Sequence, residues 1–420
     1  MTIGLAIFSL TLIAGLYMAW TIGANDVANA MGTSVGSGAL TLFAAIVLAG
    51  IFEFSGAVLV GSNVTATISK GIVEVTLFEP TGPLGPEGPL LLAVGMLSAL
   101  LAAAVWLHLA THFGLPVSTT HSIVGAVAGV GIVAFGWSGV DWGTLGQIAA
   151  SWVVSPLMGG LLGFLTFVFI RRRILASVDP VGATIAVGPW LVAVVVAIML
   201  LSFIYKALSN AMDAPPLPVA LLFSILAGGL AAAGAREVIR RRPPDRAHPY
   251  VYIERVFAVL QIGTAIFVAF AHGANDVANA VGPLAAVVSL QRDGFATISA
   301  AVDVPFWVLL LGGAGIVLGL ATLGYKVIGT VGKQITEITP TRGFSAEFGA
   351  ATTVLLASSL GLPVSTTHTL VGAVVGVGFA QGMAALNLRV IRNIVNSWIA
   401  TLPVAAAIAA LFYVIGRALI

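Results

Sequence analysis

Cysteine is absent from the 420 residues, so neither disulfides nor thiolate metal sites can be built. Charge is nearly as scarce: Asp, Glu, Lys and Arg make up 8 % of the chain, against about a quarter in soluble domains. Segments of about ten residues with strict polar/apolar alternation, the mark of a transmembrane barrel, are missing too. What fills the chain instead is 59 % hydrophobic residues with a mean hydropathy of +1.08, an integral membrane composition. Windows at 3–20, 39–60, 90–113, 148–170, 190–206, 217–235, 256–271, 304–325, 346–360 and 391–416 reach or approach the roughly 20 apolar residues of a spanning helix. The expected fold is an all-α integral membrane protein with ten to twelve crossings, some of them Gly- and Pro-interrupted, as broken or re-entrant helices.

The few charges are placed informatively. Eight of the 18 Lys and Arg lie in Arg171–Arg173 and Arg236–Arg246, with two apolar spans between them. The two clusters therefore share a side, and the positive-inside rule makes it the cytoplasm. They read as topology signals in a lipid bilayer, not as a nucleic-acid surface. The first span has no Lys or Arg before it and runs straight into a polar motif, so it reads as a retained helix rather than a cleaved signal.

That motif is duplicated. Gly-Ala-Asn-Asp-Val-Ala-Asn-Ala occupies Gly23–Ala30 and returns letter for letter at Gly273–Ala280, 250 positions on. A second pair follows in the same order: Leu115-Pro-Val-Ser-Thr-Thr-His121 returns as Leu362-Pro-Val-Ser-Thr-Thr-His368, 247 positions on. The chain thus divides into a first repeat at 1–175, a connector at 176–250 with two spans and a basic loop, and a second repeat at 251–420. Pro80, Pro83, Pro86 and Pro89 with their glycines mark a loop outside the hydrocarbon. The number of crossings per repeat is open from hydropathy alone. An inverted repeat is expected, because transporters use that arrangement to build one central site from two half-sites.

Asp26 and Asp276 lie in long apolar stretches, where an ionised carboxylate costs several kcal/mol unless it is compensated. No Lys or Arg stands near either in sequence, which leaves a proton or a bound cation. Gly23 and Gly273 permit local unwinding, whose freed carbonyls would face inward as ligands. Asn25 with Asn29, and Asn275 with Asn279, share a helix face at i, i+4 spacing. Carboxylate, amide and carbonyl oxygens suit a hard cation such as Na⁺, here at Gly23, Asn25, Asp26, Gly273, Asn275 and Asp276. The competing reading is that Asn and Asp only cap re-entrant helices.

In each Pro-Val-Ser-Thr-Thr-His segment a proline ends one structure and hydroxyl residues stand where a new helix begins. A helix start offers unpaired N–H groups and partial positive charge, an anion site with no formal cation. The hydroxyls of Ser118, Thr119, Thr120, Ser365, Thr366 and Thr367 add hydrogen bonds and can accept one from a protonated oxyanion. Capping alone explains such residues equally well. His121 and His368 read as supporting donors rather than metal ligands. A carboxylate beside the anion repels sulfate and tolerates hydrogen phosphate, which favours phosphate.

At these residues the chain resembles the inorganic phosphate transporter (PiT) family of Na⁺-coupled symporters. The likeness extends to Phe52-Glu53, Thr330-Val-Gly-Lys333 and Gly343-Phe-Ser-Ala-Glu347 and covers nearly the whole length. The resemblance implies broken helices in inverted repeats, with phosphate at the repeat interface held by Asp26, Asn29, Asp276, Asn279 and the six Ser/Thr residues. It also implies Na⁺ beside the Asp/Asn residues, no organic cofactor, a homodimer, and residence in the plasma membrane of a bacterial or archaeal cell. Glu53 and Glu347 match intramembrane acids of the family, and each reads equally well as a structural hydrogen bond. Relatives that move sulfate, or that couple to protons, set the alternative: a proton-coupled phosphate or sulfate permease.

An intramembrane hydrolase is the rival from another class, since Ser118, His121 and Asp26 supply nucleophile, base and orienter types. Two equivalent half-sites do not suit a single nucleophile, and no His-Glu-x-x-His occurs. A passive channel would need no buried carboxylates. Lys70 and Lys333 read as snorkelling residues rather than substrate contacts.

Overall fold

The computed structural model describes residues 2–62, 64, 65, 68, 71–206, 215–298, 304–328, 337–382 and 386–420. Lys70 and the segment Thr330–Lys333 lie outside them. The described residues form twelve α-helices: α1 (Ile3–Gly36), α2 (Leu42–Val60), α3 (Gly88–His112), α4 (Thr119–Phe135), α5 (Trp142–Ile170), α6 (Pro180–Lys206), α7 (Leu217–Arg240), α8 (Pro249–Arg292), α9 (Phe306–Leu323), α10 (Pro340–Ser359), α11 (Thr366–Gln381) and α12 (Leu388–Ala418). Among them the only strand-like pairing is an isolated bridge between Val73 and Val140. Ten helices are long and apolar enough to cross a membrane, with α10 and α11 the two that are not. The outward face carries Phe43, Trp190, Leu230 and Ile399, as expected where the solvent is lipid.

Local sequence explains the helix ends. Thr2, Thr41, Ser118, Asp141, Ser365 and Asn387 each accept a first-turn N–H through the side chain. Pro249 and Pro340 open α8 and α10, where a missing N–H costs nothing. The loops between α5 and α6 and between α7 and α8 meet at one end, where Arg246 lies 3.6 Å from Asp179. The two arginine clusters do share a side.

The two stretches that carry duplicated motifs are interleaved, and their contacts come in matched pairs. Helix α1 packs on α3 and α9, as α8 packs on α10 and α2. Helix α5 packs on α10 and α11, as α12 packs on α3 and α4. Each stretch therefore builds its core largely from the other one, while α6 and α7 pack chiefly on each other.

Candidate functional site

Both Asn/Asp motifs sit in mid-helix. Helix α1 runs unbroken through Gly23–Ala30 and α8 through Gly273–Ala280, which corrects the expectation of unwinding at Gly23 and Gly273. The glycines have a packing reason. A methyl on Gly23 would strike the Ile316 carbonyl of α9, and one on Gly273 the Glu53 carbonyl of α2. Gly319 and Gly56 return the contact against the Trp20 and Phe270 carbonyls. Small residues let these helix backbones touch, as in membrane interfaces generally. The carbonyls of Gly23 and Gly273 stay within the helical ladder.

The chain does break at the Ser/Thr motifs. Gly114 (φ 65°) and Gly361 (φ 69°) adopt the left-handed conformation just after α3 and α10. The Leu115 N–H reaches back to the Ala110 carbonyl at 2.9 Å, and Leu362 to Ala357 at 3.0 Å, closing each helix with a Schellman-type turn. Pro116 and Pro363 then keep the chain extended. Ser118 Oγ accepts from the His121 N–H at 3.1 Å and Ser365 Oγ from His368 at 3.2 Å, starting α4 and α11. Helix geometry leaves the N–H groups of Thr119, Thr120, Thr366 and Thr367 without an intrahelical acceptor.

The four motifs meet in one buried cluster. Thr120 Oγ1 donates to the Val364 carbonyl at 3.1 Å and Thr367 Oγ1 to that of Val117 at 3.4 Å, so the two helix starts face each other. Asn29 Nδ2 donates to Thr367 at 2.8 Å, and Asn279 Nδ2 to Thr119 and Thr120 at 3.3 Å. Thr366 Oγ1 donates to Asp276 Oδ2 at 2.7 Å, while Asn29 also reaches Asp26 Oδ1 at 3.2 Å. Asn25 anchors on Thr111 at 3.0 Å and Asn275 on Ser358 at 2.9 Å. None of these residues is more than 5 % exposed, so the cluster is closed to solvent.

Three oxygens in it, Asp26 Oδ2, Asn25 Oδ1 and Asn279 Oδ1, are buried without a hydrogen-bond donor among the described residues. Oxygens of this kind could serve as ligands to a hard cation. Asp26, His272 and Asp276 also offer one ligand atom each, all within 4.8 Å of one another.

His272 is a residue of this cluster that sequence reasoning did not single out. Its Nε2 lies 2.9 Å from Asp276 Oδ2 and 3.7 Å from Asp26 Oδ2, and its Nδ1 3.3 Å from Glu53 Oε2, all fully buried. An imidazole thus stands between the two motif carboxylates and Glu53, a neighbour that the reading of the motifs did not include. A signal was available. The residue before the duplicated octapeptide is Ile22 in one copy and His272 in the other. The glycine contacts make Ile316 the mate of Glu53, so a His–Glu pair on one side answers an Ile–Ile pair on the other.

Glu347 stands apart. It accepts hydrogen bonds from Thr33 (2.6 Å), Ser34 (2.7 Å), Gln261 (2.9 Å) and Thr264 (2.5 Å), tying α1, α8 and α10 together. Thr33 is seven residues beyond Asp26, about 10 Å along the helix. The rings of His121 and His368 pack edge-on at 4.3 Å between centroids.

The model of the phosphate transporter family matches residues 22–409. A putative phosphate permease of Pyrococcus abyssi is 46 % identical over 404 residues, covering 96 % of each chain. The chloroplastic inorganic phosphate transporter 2-1 of Arabidopsis thaliana is 44 % identical over 431 residues, 96 % of this chain and 71 % of its own. The solved structure of a sodium-dependent phosphate transporter superposes with a TM-score of 0.90 at 44 % identity, covering 99 % of this chain and 100 % of the other. The chain belongs to the phosphate transporter family.

Proposed function

We propose that this phosphate transporter is a Na⁺-coupled symporter that works by alternating access. The observation that carries the reading is the meeting of two helix starts with two buried aspartates and three unsatisfied oxygens. Phosphate would lie between α4 and α11, against the free N–H groups of Thr119, Thr120, Thr366 and Thr367 and the hydroxyls of both motifs, with Asn29 and Asn279 beside it. Na⁺ would be held by Asp26 and Asp276 with the amide oxygens of Asn25, Asn275 and Asn279. Gly23 and Gly273 keep a packing role in this reading.

Coupling follows from electrostatics. At an effective dielectric of about 20, two like charges about 4 Å apart repel by roughly 4 kcal/mol. An anion beside two carboxylates therefore binds poorly until cations neutralise them, and cations are retained poorly without the anion. Likeness to a sodium-dependent transporter of known structure supports sodium as the ion. The matched contacts of α1 with α9 and α8 with α2 support two inverted repeats, 1–175 and 251–420, joined by 176–250. The reading also makes the protein a multi-pass homodimer of the plasma membrane.

Radiolabelled phosphate uptake into proteoliposomes, with and without an inward sodium gradient and with sulfate as competitor, tests it. Sodium-driven accumulation of phosphate is expected. Uptake driven by a pH gradient alone would refute the sodium assignment, and sulfate accumulation the substrate.

A further inference from the structure

The proposed phosphate site is built from two separate helix starts, and the hydrogen bonds between them run through the hydroxyls of Thr120 and Thr367. A tetrahedral anion needs its donors on opposite sides held to a fixed spacing, and displacement by about 1 Å costs on the order of 100-fold in binding or turnover. Something stiffer than threonine side chains has to set that spacing.

A row of four aromatic rings crosses the junction. His121 and His368 are the third helical residues of α4 and α11, one position beyond the free N–H groups. Their backbone N–H groups are spent on the Ser118 and Ser365 caps, and their rings meet at 4.3 Å, interplanar angle 77°. Trp152 of α5 packs on the outer side of His121 at 3.8 Å, and Trp398 of α12 on the outer side of His368 at 3.5 Å. The spacings from 121 to 368 and from 152 to 398 are 247 and 246 residues, so the row is duplicated like the motifs it joins. Trp152 Nε1 also donates to the Pro363 carbonyl at 3.1 Å, bracing the loop that leads into the opposite helix start. The imidazole of His121 also faces the Trp398 backbone and that of His368 the Trp152 backbone, so ring packing is backed by polar contact with the outer helices.

We propose that His121 and His368 are positioning residues for phosphate: their ring contact, clamped by Trp152 and Trp398, sets the distance between the two helix starts that hold the anion. This rests on the phosphate site proposed above. The cation ligands are on α1 and α8, so disturbing the row should affect anion recognition and spare sodium.

The test is sodium-gradient phosphate uptake in proteoliposomes by wild type, His121→Ala, His368→Ala, His121→Phe, His368→Phe and Trp152→Phe, each checked for a single gel-filtration peak. The alanine variants should raise the phosphate KM about tenfold or more, while sodium half-saturation measured at saturating phosphate stays within about twofold. The phenylalanine histidine variants keep a ring and should stay within about threefold of wild type. Trp152→Phe keeps the stack but loses the Pro363 bond, and should raise KM about threefold with Vmax unchanged, an arm that stands even if alanine prevents folding. An unchanged KM in folded alanine variants, or phenylalanine as damaging as alanine, overturns the proposal. If the wild type accumulates sulfate and not phosphate, the substrate reading fails, and the same KM comparison made with sulfate decides the spacing claim.

Discussion

His272 Nε2 stands 2.9 Å from Asp276 Oδ2 on the same face of α8, one turn away, while the other nitrogen of the ring faces Glu53 of α2. One imidazole thus links a carboxylate of the duplicated motif to one that has no counterpart in the other half. The mirror position shows that an apolar pair packs equally well there, since Ile22 and Ile316 are both fully buried.

That comparison yields a two-step prediction. His272→Ile leaves Glu53 buried and unpaired and should cost about 3–5 kcal/mol of stability. Adding Glu53→Ile recreates the mirror pair and should recover most of the loss. Uptake should fall at least about 100-fold in both, because no imidazole then faces Asp26 and Asp276. Thermal melts in detergent alongside uptake separate the two effects. A double variant that transports normally would show the pair to be structural.

Asp276→Asn keeps the shape of the side chain and removes its charge. Sodium-dependent uptake should be abolished with membrane insertion intact, as read by surface labelling and uptake assays. Normal sodium-driven transport by this variant would refute its role.

The glycines give a stability test. Gly273→Ala pushes a methyl into the Glu53 carbonyl and should destabilise by at least about 1–3 kcal/mol, as overpacking does. Gly263 lies in the same helix with open space around it, and alanine there should be neutral or stabilise by up to about 1 kcal/mol. Paired melting curves decide whether close backbone contact, not helix unwinding, is why Gly273 is glycine.

Glu347→Gln keeps an acceptor but turns one end of the group into a donor facing hydroxyls and the Gln261 amide. Loss of charge-assisted bonds to four donors should cost about 2–4 kcal/mol. A variant with unchanged melting temperature would mean that the acid is not a tie between α1, α8 and α10.

Much of this was legible in the sequence. Scarce charge and long apolar windows gave the membrane class, and the duplicated motifs marked the residues that meet at the centre. The Pro-Val-Ser-Thr-Thr order read correctly as a stop followed by a helix start, because proline disfavours helix in the residue before it and hydroxyl side chains cap first turns. Gly23 and Gly273 misled, since the same residue serves an unwound turn and a tight helix crossing, and only the neighbour across the interface decides. His272 stood just outside the matched octapeptide, so attention to identity passed over a position where the copies differ. The Glu347 cage draws on Thr33, Ser34, Gln261 and Thr264, ordinary residues whose convergence depends on how α1 and α8 cross.

The central claim is that cations neutralise Asp26 and Asp276 and so admit the anion. Calorimetric titration of phosphate into purified protein at rising sodium concentration, with choline replacing sodium, tests it most directly. Phosphate affinity should strengthen steeply with sodium, and sodium affinity with phosphate by the same factor. Phosphate binding of equal strength in choline and in sodium would contradict it.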